Sequence, residues 1–185
     1  KPFKNLKILD IGCGGGLVCE PLARLGANAT GVDADPVAIN VARDHAAQMG
    51  LDVTYKNDSA ENLKGPFDAV LALEIIEHVS DPAAFANHCA RLVKPGGIVI
   101  FSTLNRTAKS YALGIIAAEY ILRWVPRGTH SWQKFLKPSE LAALCRDAGI
   151  KPLDATGLVY SPLDKAFRLS KTDLGVNYFL TGKAA

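Results

Sequence analysis

No two cysteines in this 185-residue chain are spaced C-x-x-C, no apolar run reaches the roughly 18 residues of a membrane span, and neither sign of charge dominates. Cys13, Cys19, Cys89 and Cys145 stand apart, which argues against a zinc site. A net charge of +3 is too small to call for nucleic acid. With 49% hydrophobic and 21% charged residues the chain is not disordered. No secretory signal precedes the first apolar segment, so a reduced, cytoplasmic protein is expected. There is no internal repeat, low-complexity tract or linker. The length suits one domain, residues 1–185, better than two. The chain opens at Lys1 without Met, so residues upstream are expected.

What is present is an alternation of short apolar strands and helices. Lys7–Ile11 predicts a strand, broken by the glycine cluster 12–16 and followed by a helix over 17–25. Residues 29–32, 53–56, 67–73 and 98–102 predict further strands, apolar almost throughout, as a sheet buried on both faces requires. Asp35-Pro36 and Asp81-Pro82 each read as an N-cap with a first-turn proline, opening helices to about residues 49 and 93. Pro138 opens another. Residues 151–185 read as two strands around a long turn, bringing the total to seven. This order predicts a doubly wound, mostly parallel α/β sheet with an antiparallel hairpin at one edge. Residues 104–135 are too many for a loop and predict a helical insertion.

Ile8-Leu9-Asp10-Ile11-Gly12-Cys13-Gly14-Gly15-Gly16 carries the strongest chemical signal. Without side chains at Gly12 and Gly14, backbone can approach a nucleotide-like ligand at the carboxyl end of the first strand. Asp33 ends the second strand, where a carboxylate can accept both hydroxyls of a ribose. A nicotinamide site is disfavoured: from Gly12 the last position of G-x-G-x-x-G is Leu17, and from Gly14 it is Cys19.

L-D-I-G-C-G-G-G followed by G-V-D resembles the first motifs of the class I S-adenosylmethionine-dependent methyltransferases, a Rossmann-like family. Asp58-Ser59-Ala60-Glu61-Asn62-Leu63 resembles that family's adenine-side loop. The strand ending at Leu73 and Leu92-Val93-Lys94-Pro95-Gly96-Gly97 resemble its later motifs. The resemblance implies S-adenosylmethionine as cofactor, held by Gly12, Gly14, Asp33, Asp58 and Leu73.

A narrower resemblance spans nearly the whole chain. Leu73-Glu74-Ile75-Ile76-Glu77-His78-Val79, Phe101-Ser102-Thr103-Leu104-Asn105-Arg106, Lys134-Phe135 and Val176-Asn177-Tyr178 are among the segments similar to the O-methyltransferases of ubiquinone biosynthesis. That family methylates ring hydroxyls of polyprenylated phenols. It also carries an upstream arginine facing the cofactor's carboxylate, in a segment that is expected before Lys1. The resemblance further implies that Glu74, Glu77 and His78 hold a divalent ion, Mg²⁺ first, with iron or zinc open. A metal would stabilise a phenolate as a Lewis acid. The plainer reading also stands: the Glu-His group fixes a loop or a substrate, since Mg²⁺ prefers all-oxygen shells.

His130, in the insertion, is a candidate base because its unperturbed pKa suits neutral pH, or else a hydrogen-bonded loop residue. Cys13 reads as packing near the cofactor, and Cys19 and Cys145 as core. Residues 111–125 form an apolar run too short to span a membrane but suited to its interface. Arg106, Lys109, Arg123 and Arg127 flank it and could meet anionic lipid. The expected partners are therefore a polyprenylated phenolic substrate, an anionic membrane surface met through about residues 106–127, and other ubiquinone-pathway proteins. The expected location is cytoplasmic, at the inner face of the membrane. A lid helix over the pocket is the alternative for that run. A methyltransferase of another pathway, or a silent cofactor-binding module, remains the alternative for the chain.

Overall fold

A computed structural model describes residues 1–113, 131–161 and 163–185. The glycine cluster and the two Asp-Pro caps cut the chain into alternating units. The strands are β1 (Lys7–Ile11), β2 (Asn28–Asp33), β3 (Thr54–Asn57), β4 (Phe67–Leu73), β5 (Val93–Leu104), β6 (Ile150–Ser161), β7 (Ala166–Ser170) and β8 (Asn177–Ala184). The helices are α1 (Cys19–Arg24), α2 (Pro36–Gln48), α3 (Pro82–Leu92), the single turn α4 (Ala108–Ser110) and α5 (Pro138–Asp147). All eight strands form one sheet in the order β3-β2-β1-β4-β5-β8-β6-β7. β1 to β5 are parallel, and β6, β7 and β8 pair antiparallel.

Strand alternation sends side chains to both faces, and helices cover both. Leu9, Ile11, Val70, Ala72, Val99 and Phe101 pack with Phe85, Ala86 and Cys89 of α3 and Leu141 and Cys145 of α5. Ile8 and Leu71 pack on the other face with Leu22 of α1. Ala29 and Tyr55 there meet Ile39, Ala42 and Ala46 of α2. The sheet is thus doubly wound, as its sequence pattern requires. All four cysteines are buried and free.

Among the described residues there are eight strands rather than seven, because the long turn expected near the C-terminus contains β7. β6 runs twelve residues and folds back on β7 to make the antiparallel edge hairpin. β8 enters between β5 and β6, so the chain's last strand lies inside the sheet. α1 is shorter than its pattern suggested, because Gly16 (φ 86°) and the turn after it delay its start. β5 begins five residues early, pairing Val93 with Phe67 before an irregularity in register. Among the described residues no helix is long and apolar enough to cross a membrane.

Both Asp-Pro caps form. Asp35 Oδ1 accepts from Val37 N at 2.8 Å, and Asp81 Oδ1 accepts from Ala83 N and Ala84 N at 2.9 Å. Each satisfies backbone donors that a helix start leaves open. Asp81→Ala should therefore destabilise the fold by about 1 kcal/mol in urea unfolding, with an unchanged m-value.

Candidate active site

The chain passes from β1 outward to β2 and β3, then returns to place β4 on β1's other side. The crevice between the carboxyl ends of β1 and β4 is therefore the switch point at which open α/β sheets bind ligands. The loop after β1 and the loop after β4 form its walls.

The first wall is the glycine loop. Gly12 (φ 75°) and Gly14 (φ 49°) occupy backbone conformations that other residues resist. Gly12 N and Cys13 N both donate to Val32 O, at 2.7 and 3.1 Å. Gly14 N donates to Asp33 Oδ2 at 2.8 Å, and Asp35 N donates to Oδ1 at 2.9 Å. The Asp33 carboxylate is thus aimed by two backbone donors, and each oxygen keeps a further acceptor direction. A Cβ on Gly14 would meet no atom within 4 Å, so the loop is open on that side. A Cβ on Gly12 would lie 2.5 Å from Ile75 Cδ1, so the two walls touch.

The second wall starts at Leu73, the end of β4, paired to Ser102 of β5. Glu74 follows in a left-handed conformation, φ 53°, which a non-glycine residue holds only at a cost. Ser102 supports it: Glu74 N donates to Ser102 O at 3.0 Å and to Oγ at 3.1 Å, and Ser102 Oγ donates to Glu74 Oε1. The chain then turns, with His78 N donating to Ile75 O at 2.9 Å. Glu77 points inward, 3% exposed, and neither carboxylate oxygen has a hydrogen-bond partner. Burial pushes its pKa up to about 7, and the charge of Glu74 adds to the rise. The Thr103 hydroxyl beside it tempers that rise.

Beneath the glycine loop lies a second buried acid, Asp10. Burial pushes it up to about 7; the Cys19 thiol, donating to Oδ2 at 3.6 Å, pulls down, and the charge of Asp33 pushes up.

The comparisons with known proteins agree with this architecture. Residues 1–155 match the family model described as a methyltransferase domain. The chain is 52% identical over 180 residues to a ubiquinone biosynthesis O-methyltransferase of Cereibacter sphaeroides, covering 96% of this chain and 73% of that protein. It is 51% identical over 188 residues to one of Azorhizobium caulinodans, covering 100% and 74%. The chain belongs to the ubiquinone biosynthesis O-methyltransferase family. Among solved structures, the magnesium protoporphyrin IX methyltransferase of Synechocystis superposes with a TM-score of 0.73 at 22% identity, over 99% of this chain and 76% of that one. A methyltransferase of Thermotoga maritima gives 0.72 at 21% identity, over 98% and 83%. At such identities these two speak for the fold.

Within this family frame, the crevice gathers Gly12, Gly14, Asp33, Leu73 and Glu74. Asp58 stands just beyond β3, its N–H donating to Asp33 O at 3.1 Å. Its Oδ1 accepts from Asn62 Nδ2 at 2.9 Å and Ser59 N at 2.8 Å, which holds its carboxyl below the usual carboxylate range. Glu74, Glu77 and His78 are not gathered as a ligand set. Glu74 is bound to Ser102, Glu77 is buried, and His78 is exposed. Among the described residues no three His, Cys, Asp or Glu side chains are placed to hold a metal ion. The orphaned Glu77 oxygens alone would suit an ion, but the arrangement as a whole does not fit one. His130 lies outside the described residues.

Sequence reasoning passed over Ser102 and Asp10 as site residues. Both stand in quoted motifs, but only their burial and partners in three dimensions mark them. An aspartate whose pKa is higher folded than unfolded binds more protons when folded. Stability therefore falls as pH rises from about 4 to 7 and levels off above. Asp10→Asn should remove that part of the loss, on the order of 4 kcal/mol. Urea unfolding of both proteins at pH 5 and pH 8 checks it, the gap narrowing or reversing at pH 8.

Proposed function

We propose that this chain transfers the methyl group of S-adenosylmethionine to a ring hydroxyl of a polyprenylated phenol or catechol on the ubiquinone pathway. The observation that carries the reading is about one-half identity to enzymes of that name over almost the entire chain, insertion included. A cleft with an intact glycine loop and an aimed carboxylate supports it and disfavours a silent module.

When bound, the cofactor supplies an electrophilic methyl on a sulfonium sulfur. The chain's own residues then hold the cofactor and activate the acceptor. Asp33 accepts the ribose hydroxyls, its orientation fixed before binding by Gly14 and Asp35. Asp58 sits at the base edge of the same ligand, beside the end of β2. Gly12 and Gly14 let backbone approach it without a side chain between.

Activation means taking the phenol's proton, since a phenol of pKa near 10 is a weak nucleophile at neutral pH. Glu77 is suited to it, a buried and unpartnered carboxylate on the second wall. Ser102 holds Glu74 in its strained conformation and so fixes the approach to that wall. His130 remains the sequence's own candidate for the base. No step is assigned to a metal.

The membrane contact belongs to the same proposal: the insertion, about residues 106–127, meets an anionic surface at the cytoplasmic side. Its roots are fixed to the body. Trp132 Nε1 donates to Thr107 O at 3.0 Å, Thr107 Oγ1 donates to Gly175 O at 2.6 Å, and Arg106 pairs with Glu140. Residues 114–130 lie outside the described residues.

Labelled S-adenosylmethionine offered with a panel of phenols tests the reading. Methyl transfer to catechols, with prenylated ones favoured, is expected; transfer only to amines, thiols or carboxylates would sink it. Asp33→Ala should weaken cofactor binding by about 1–3 kcal/mol in calorimetry, the scale of charged hydrogen bonds. Glu77→Gln should lower kcat by about a hundredfold or more with cofactor affinity held, read in steady-state kinetics on a soluble catechol.

A further inference from the structure

The β6–β7 hairpin stands out from the sheet at the edge where the active site opens. Asn177, the first residue of β8, pairs with Leu104 at the carboxyl end of β5, and also with Leu158 of β6. β6 runs on to Ser161 before turning back as β7. Three residues of paired strand therefore project about 10 Å beyond the carboxyl edge. The root of the insertion, just after Leu104, leaves from that same edge.

Register sorts this projection into faces. Phe167 pairs with Tyr160 and Leu169 with Leu158, so these four share one face, and the Tyr160 and Phe167 rings lie 5.2 Å apart. Phe167 is 59% exposed and Leu169 71%, and Leu163 in the turn is 97% exposed. Exposed apolar side chains gathered at one tip mark an interaction surface.

Its charges select the occupant. Lys165 lies in the turn, Arg168 on β7 and Lys171 just past its end; Arg168 pairs with Asp164 at 2.8 Å and Lys171 with Asp154 of β6 at 2.7 Å, which leaves these three cations against two carboxylates on the hairpin. Cations spaced along an edge strand oppose pairing with another strand, so a second copy of this chain is a poor fit. Cations flanking an apolar, tyrosine-bearing tip match an anionic bilayer, with apolar groups below the headgroups and charges at phosphate level. The unpaired outer edge of β7 restricts entry to the interfacial zone, since backbone groups cannot go unsatisfied in hydrocarbon.

We propose that the β6–β7 hairpin is a lipid-docking element that inserts Leu163 and Phe167 shallowly into an anionic membrane and turns the active-site edge toward it. This rests on the proposed polyprenylated substrate, which resides in a bilayer, but the hairpin makes a contact separate from the insertion's.

Full-chain Trp124→Phe, Leu163→Trp, read as the difference from Trp124→Phe alone and mixed with phosphatidylglycerol vesicles in the absence of substrate, should show a blue-shifted emission that brominated lipid quenches. With phosphatidylcholine vesicles the shift should be much weaker. The Leu163→Ser, Phe167→Ser double variant should lower the vesicle partition coefficient by about tenfold or more. Its melting temperature and its turnover of a soluble, tail-less catechol should stay as in the parent. That last readout tests the chemistry separately from the docking. Unshifted tryptophan emission overturns the proposal. So does unchanged partition of the double variant, or loss of binding confined to an Arg123→Glu, Arg127→Glu protein. So does a dimer that the double variant dissociates without any effect on vesicle binding.

Discussion

The hydrogen bond from Gly14 N to Asp33 Oδ2 joins the two features on which a nucleotide site of this kind depends, an open glycine loop and a correctly aimed acid. Neither would hold alone. Gly12, Gly14 and Gly16 have positive φ and no side chain to pack, and a carboxylate at a strand end is free to rotate. The bond from Gly12 N to Val32 O and that from Asp35 N to Asp33 Oδ1 close the arrangement from either side. A loop held by its own backbone donors is organised before any ligand arrives. Less ordering cost then falls on binding.

The same preorganisation has a cost beneath the surface. Asp10 under the glycine loop and Glu77 in the second wall are both buried, and both are pushed by desolvation toward neutrality at physiological pH. A fold selected only for stability would fill those places with apolar side chains. Asp10 has the Cys19 thiol; Glu77 has Thr103 close by. Strain at Glu74 falls on the same wall and is offset by three bonds to one serine. Destabilised groups gathered around one crevice are what a site built for binding and proton transfer produces.

The parts legible in sequence were those governed by local rules. Apolar runs bounded by glycine placed β1 and β4 to the residue, and the two Asp-Pro pairs placed the starts of α2 and α3. Asp33 was legible because its spacing from the glycine loop is a chain-length relation. What escaped depended on neighbours distant in sequence. β7 was hidden in a turn because Phe167, Arg168 and Leu169 alternate over too few residues to declare a strand without β6 beside them. Ser102 looked like one more residue of a buried strand until pairing with Leu73 set it under Glu74. The three-residue spacing of Glu74, Glu77 and His78 suggested a common focus. The left-handed turn at Glu74 sends Glu77 inward and leaves the other two exposed.

The division of labour along the carboxyl edge follows from topology. β1, β2 and β4 end on the cofactor side, where rigid strands and short loops hold geometry tightly. β5 and β6 end on the far side, and there the chain extends outward, through the insertion after Leu104 and the hairpin after Leu158. Asn105 fastens these two outgrowths together, donating from N to Val176 O at 2.7 Å and from Nδ2 to Leu174 O at 2.8 Å. Tyr178, fully buried, donates to Leu136 O at 2.9 Å where the chain returns from the insertion. The segment between β7 and β8 thus links both outgrowths to the central sheet. The glycine loop, Asp33 and Glu74 all stand at the ends of parallel strands, whereas the projecting hairpin belongs to the antiparallel half of the sheet.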